Sequence, residues 1–215
     1  IRLSAASSGY QSVLPLSLIT RFLSDLVLDN ANKEDLSIKE KKQIEKEVNK
    51  VMNDKSLTDG VKFAMLRNIS SRFKYSCFVN IVEEMELNLY PESQRSVLFD
   101  LLSYANKIEL NRLVLTTHSP YVINYLTLAA KAFLLTQKVS ANETLQERVK
   151  EVVPADSAID PARLRIYELK DGGVFRLSTY EGLPSDENFL NIQLGVTNEL
   201  FDQLLEIEQE FDYKN

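Results

Sequence analysis

The sequence is poor in the features that commit a chain to a special chemistry. It has one cysteine, Cys77, in 215 residues. No internal disulfide can form, a disulfide scaffold is excluded, and a reducing cytoplasmic compartment is the default expectation. Cys77 opens an apolar run and reads as a small buried residue. There is no His-Glu-x-x-His, no Cys-x-x-Cys and no other cluster at metal-ligand spacing. Arg, Asp, Lys or Asn interrupts the apolar stretches before about 18 residues, so no membrane-spanning helix is expected, and no secretory leader is visible. With six glycines and six prolines the chain is neither collagen-like nor of low complexity. A Gly-x-x-x-x-Gly-Lys-Ser/Thr phosphate loop is also missing, since neither Gly60-Val61-Lys62 nor Gly182-Leu183-Pro184 approximates it.

What remains is ordinary for a globular protein: 44% hydrophobic and 26% charged residues, enough for one domain or one large lobe. The net charge of −6 argues against a nucleic-acid footprint over the whole surface and leaves a local basic patch open. The chain opens at Ile1-Arg2-Leu3 directly on a motif, and the expectation is a portion of a longer protein.

Periodicity supplies the elements. Residues 1–9 read as a strand end and a Ser/Gly turn, Ala5-Ala6-Ser7-Ser8-Gly9. A helix over 10–28 follows, with Val13, Leu16, Ile19, Leu23, Leu26 and Val27 at helical spacing and Pro15 tolerated in the first turn or so. Residues 30–55 are strongly charged, with a thin stripe of Ile44, Val48, Val51 and Met52. They read as a solvated amphipathic helix in an insertion or, alternatively, as a partner-binding arm. A further helix over 58–73 carries Val61, Met65 and Ile69. Phe78-Val79-Asn80-Ile81-Val82 is a short strand, 92–105 a helix, and Leu113-Val114-Leu115-Thr116-Thr117 the next strand. Ser119-Pro120 then starts another helix, as a hydroxyl cap before proline at the first helical position. Strand–helix–strand–helix with strands this apolar predicts a parallel sheet covered by helices. Beyond 141 the sequence predicts a polar helix over 143–152, a hairpin around Asp171-Gly172-Gly173 and an acidic helix over 196–211, with Leu200, Leu204, Ile207 and Phe211 on one face.

Chemistry concentrates at the ends of the two strands. Glu83 and Glu84 leave the first, with Glu86 close behind, and His118, the only histidine, leaves the second. Ligands of open α/β sheets gather at the carboxyl ends of strands. Adjacent residues leaving a strand diverge, so one carboxylate can reach a magnesium shell while the other meets an attacking water. Solvated acids at a strand end are the alternative for the pair, and a structural role is the alternative for the lone histidine.

Glu83-Glu84-Met85-Glu86, Leu87-Asn88-Leu89-Tyr90-Pro91 and Thr116-Thr117-His118-Ser119-Pro120 resemble the Walker B and switch-histidine motifs of ABC-type ATPases, in the bacterial AAA-family branch that is RecF/SMC/OLD-like. The branch typically has Asp-Glu-Pro-Glu, so Glu83 stands in place of Asp and Met85 in place of Pro. Ser7-Ser8-Gly9-Tyr10-Gln11 is similar to the family's signature, a turn that opens a helix and turns N–H groups toward phosphate. The three segments also follow the family's order.

The resemblance implies a partial P-loop NTPase of the α/β class, with a parallel sheet flanked by helices, a helical insertion and a small C-terminal α+β lobe. Residues 1–29 would be the signature turn and helix, 30–74 the charged insertion, 75–140 the Walker B and switch-histidine half of the core, and 141–215 the hairpin and acidic helix. It further implies that Glu84 orients or deprotonates the attacking water and that Glu83 helps hold Mg2+. His118 would contact the γ-phosphate of ATP, and Ser7, Ser8, Gly9 and Gln11 would face ATP on an opposite subunit in a head-to-tail homodimer. Glu86 and Asn88 would be secondary. The phosphate loop would belong to the protein's own N-terminal ATPase half, so this chain alone is expected to be inactive. A DNA-linked or defence process, with DNA or an effector protein as partner, fits the branch. A non-catalytic dimerisation module on the same fold is the competing expectation. Members of the branch often append a nuclease domain, but Asp156, Asp160, Asp171 and Asp186 are scattered among turns and form no acidic cluster for one.

Overall fold

The computed structural model describes residues 3–32, 37–72 and 75–214. Ile1, Arg2 and Phe73, expected in a strand end and a helix end, lie outside the described residues. The architecture is mixed α/β and mostly helical. In chain order it runs α1 (Ser8–Asn32), α2 (Ile38–Asn53), α3 (Asp59–Arg72), β1 (Val79–Val82), α4 (Pro91–Asn106), β2 (Arg112–Leu115), α5 (Pro120–Lys138) and α6 (Glu143–Val152). A C-terminal lobe follows: β3 (Tyr167–Lys170), β4 (Gly173–Arg176), β5 (Thr179–Tyr180), β6 (Leu183–Pro184) and the long α7 (Phe189–Lys214).

The parallel pair is present: β1 lies beside β2, with Val79 opposite Arg112 and Val82 opposite Leu115. The crossover between them is α4, which starts on Pro91 as its first helical residue and so begins where a missing N–H costs nothing. Side chains alternate along a strand, and here the two faces differ sharply. Val82, Leu113 and Leu115 turn to the core, where they meet the buried faces of α4 (Val97, Leu98, Leu101) and α5 (Val122, Leu126). On the other face Val79 is 58% exposed, Ile81 67% and Val114 47%. Parallel strands are ordinarily covered on both faces; this pair is covered on one.

Helix α1 lies against α4. Thr20, Ser24 and Val27 are buried, the Asn80 amide donates to Thr20 Oγ1 at 3.0 Å, and Lys107 pairs with Asp25 at 3.1 Å. Three expectations change here. The stretch before α1 is a 3-10 turn, Leu3–Ala5, rather than a strand end. The helix starts earlier than expected, so Pro15 sits two turns inside it instead of in the first turn, and its ring leaves the Gln11 carbonyl without a backbone donor. Ser8–Asp29 is also long and apolar enough by length and composition to cross a bilayer, because Arg21 and Asp25 interrupt the run less than the sequence suggested. In this fold the same helix packs by Val27 and its small polar residues on the core.

Residues 37–72 form a helical hairpin. Helix α2 opens with a capping box, in which Ser37 Oγ accepts from Glu40 N–H and Glu40 returns to Ser37 N–H; this satisfies two of the donors a helix start leaves open. It packs on α3, with Val51 and Ile69 buried. Met52, expected in the apolar stripe, is 54% exposed because it sits a step round the helix from that face. The Asp171-Gly172 hairpin forms as expected, with both φ angles positive (50° and 75°), as a two-residue primed turn requires. A second hairpin, β5–β6, forms without having been expected; its turn is Glu181-Gly182 (φ 49° and 82°). Acidic α7 starts at Phe189, a full two turns before the expected 196.

Candidate functional site

The carboxyl ends of β1 and β2 carry Glu83, Glu84 and Glu86 on one side and Thr116, Thr117, His118 and Ser119 on the other. Parallel pairing in register brings the two segments together, and the ladder continues past the strands: Thr116 N–H donates to Val82 O at 3.1 Å and Glu84 N–H to Thr116 O at 3.0 Å. Thr116 Oγ1 accepts a second bond from Glu84 N–H at 3.2 Å. Glu84 takes a positive φ of 47°, a conformation that costs a non-glycine residue energy and is held only where its surroundings over-determine it. The doubled bond to Thr116 is part of that hold. The result is that Glu84 turns out of the strand toward His118, with Oε1 3.4 Å from Nε2. The two form an ion pair whenever the imidazole is protonated.

Glu86, expected to be secondary, is central to the backbone of the site. Its Oε1 accepts from the His118 N–H at 2.6 Å, a short charge-assisted bond, and its Oε2 is buried without a partner among the described residues. An orphaned buried acceptor is costly, so this oxygen is a place where a further donor would be bound with gain. Ser119 sits where a helix cap would, as expected, but its hydroxyl does not cap α5. It is buried and donates instead to Gln94 Oε1 at 2.6 Å, while Gln94 Nε2 donates to Leu89 O at 3.0 Å. Gln94 thus ties the loop after the acids to the loop after β2. Sequence reasoning missed Gln94, an uncharged residue one turn into α4 that only its position could have suggested, and it named Thr116 within the motif without foreseeing its bond to Glu84.

Met85 is buried in the core at 4% exposure. Its side chain fills space beneath the acids. Glu83 is exposed and its side chain makes no hydrogen bond or ion pair among the described residues, and Asn88, at φ 61°, shapes the turn through its backbone.

The Ser/Gly turn is adjacent. A Cβ on Gly9 would lie 2.9 Å from Asn88 O and 3.4 Å from Leu89 Cδ2, so the start of α1 packs directly on the loop that follows the acids, and glycine is required for that approach. Ser7 and Ser8 are exposed at the head of the helix. Gln11 is turned back, its Nε2 donating to Ala6 O at 2.8 Å, and so braces the turn rather than reaching outward. The structure therefore brings Ser8–Gly9, Glu84, Glu86 and His118 to one end of the sheet.

The site is an open shelf. The His118 side chain is 83% exposed and that of Glu84 48%. Among the described residues no group of three or more His, Cys, Asp or Glu could hold a metal ion. Glu83 offers a single exposed carboxylate at the strand end, and no second ligand joins it among the described residues, so any magnesium shell there would be left to water and phosphate oxygens. A shallow hollow in the C-terminal lobe, lined by Pro161, Ile166, Leu177 and Pro184 among others, contains none of these residues. Comparison with protein-family models, curated proteins and solved structures finds no match to this chain.

Proposed function

We propose that this chain is the catalytic half of an ABC-type ATPase of the RecF/SMC/OLD-like branch, acting with an N-terminal half that carries the phosphate loop. One observation carries the reading: Glu84 and His118, from successive parallel strands, approach to 3.4 Å at the carboxyl end of the sheet. Apolar packing needs neither residue there, and the strained backbone of Glu84 is a cost without return in a merely solvated acid. The uncovered face of the sheet, Val79, Ile81 and Val114, is where further elements of such a half would lie.

In this reading the substrate is ATP and the reaction is phosphoryl transfer to water, in which positioning and electrostatics supply most of the rate. Glu84 orients the water and accepts its proton. His118, fixed through its own N–H by Glu86, meets the γ-phosphate from the neighbouring strand. Glu83 would hold magnesium through water, and the ion would neutralise phosphate charge. The N–H groups at the head of α1 favour an anion, and a homodimer would turn them toward the nucleotide of the opposite copy. The process served would be DNA-linked or defensive and cytoplasmic.

The test is Glu84→Gln in the protein joined to its N-terminal half. Phosphate release should fall by about 10²–10⁴-fold, as for loss of a general base, while ATP affinity stays within about threefold. Unchanged turnover removes Glu84 from its role. Absence of turnover in the unsubstituted protein, with self-association retained, favours the alternative of a non-catalytic dimerisation module.

A further inference from the structure

Helices α2 and α7 carry opposite charges in the same register, and nothing in the proposed reaction uses either. On α2 the exposed lysines Lys39, Lys42, Lys46 and Lys50 recur at steps of three, four and four residues. At 3.6 residues per turn they form one stripe about 16 Å long. It lies on the side of α2 away from Ile44, Val48 and Val51, the face turned to α3, and none of the four pairs with a carboxylate among the described residues. On α7 the exposed acids Glu199, Asp202, Glu206 and Glu210 recur at the same three, four and four. The hairpin over 37–72 holds nine Lys or Arg against five Asp or Glu, although the whole chain is at −6.

Helix α7 also lacks a seat within the fold. Its first residues are anchored, Phe189 N–H to Glu168 at 2.7 Å and Asn191 to Asn124 at 3.3 Å. From Thr197 onward every described residue is exposed, Leu200, Leu204 and Ile207 included. A helix of this length with an acidic stripe calls for a basic helical partner, and the chain presents one.

We propose that the α7 helix of one copy docks, parallel, along α2 of a second copy, setting Glu199, Asp202, Glu206 and Glu210 against Lys39, Lys42, Lys46 and Lys50. Parallel packing matches all four pairs, whereas antiparallel packing reverses the steps and misaligns the inner two. A closed two-fold pair makes the contact twice. The association needs no nucleotide and does not depend on the ATPase reading.

Sedimentation velocity on the nucleotide-free chain tests this. The chain should self-associate, and the association constant should fall about tenfold or more between 0.1 and 1 M salt as the screening length shortens from ~10 to ~3 Å. The quadruple variant K39E/K42E/K46E/K50E alone and E199K/D202K/E206K/E210K alone should each be monomeric, since every stripe then faces its own sign. Mixed in equal amounts, the two should associate, because each supplies the stripe the other lost. The double variants K42E/K46E and D202K/E206K repeat the exchange if a quadruple variant loses helical circular dichroism. A monomeric unsubstituted chain at low salt, or folded variants that fail to associate when mixed, overturns the proposal. So does a lysine variant that loses only affinity for a DNA or RNA oligonucleotide, which would make α2 a nucleic-acid surface.

Discussion

The end of the sheet and the end of the chain are built by opposite means. At the sheet end Glu84, Glu86, Thr116, His118, Ser119 and Gln94 are held by hydrogen bonds between residues 25 to 32 positions apart, over a core in which Leu98 is fully buried. In α7 the long-range bonds are confined to its first turn, at Phe189 and Asn191, and no described residue after Val196 is buried. Groups that must meet at fixed distance need the first kind of construction, because only non-local contacts fix two loops relative to each other. A helix that presents one face to a partner needs only the second.

The largest way to break this comparison is through the site itself. His118→Ala in the protein with its N-terminal half should lower phosphate release by about 10²–10³-fold, the usual cost of losing one group that stabilises developing charge. A change at an exposed α7 residue outside the acidic stripe, Asn198→Ala, should leave turnover unchanged. Next come the supports. Leu98→Ala should cost about 2–5 kcal/mol in urea denaturation, against about 0.5 kcal/mol or less for Leu204→Ala; equal costs would mean that α7 is packed in the isolated chain. Gly9→Ala should destabilise by about 1–2 kcal/mol, because the new methyl meets a backbone carbonyl that cannot swing away. A stabilised variant would instead show that helix propensity dominates there. Thr116→Val removes one of the two bonds to Glu84 N–H, for about 1 kcal/mol.

The smallest effect is a matter of pH. Burial, and then the charge of Asp156, holds the Asp100 carboxyl above its ordinary value of 3.8. The folded chain therefore binds that proton more tightly than the unfolded chain. The stability it contributes is fully present below pH 3.8 and is lost as pH rises through the folded value. Asp100→Asn should raise the melting temperature at pH 7 by about a degree, with no gain below pH 3.8; Asp100 is largely solvated, so no larger shift is expected.

Much of this was legible in the sequence. The order of helices and strands followed from periodicity, the start of α4 from Pro91, and the first hairpin from Asp171-Gly172. The candidate residues Glu84 and His118 were legible as polar groups ending apolar strands. The second hairpin was not, because two-residue strands leave no periodicity to read. Nor was the start of α1: the Ser/Gly turn looked like a break, whereas Ser8 already belongs to the helix.

By itself the sequence determined what kinds of groups end each strand, that α4 and α5 begin on Pro91 and Pro120, and that α2 and α7 bear opposite stripes. Those are properties of spacing along one chain, and spacing is local. Only the tertiary structure decided which groups meet. The parallel register set Glu84 beside His118, the hydrogen bond from His118 N–H turned Glu86 from a spare acid into the anchor of His118, and close packing made Gly9 a requirement. It also left one face of the sheet bare, since coverage depends on what the rest of the chain places against it.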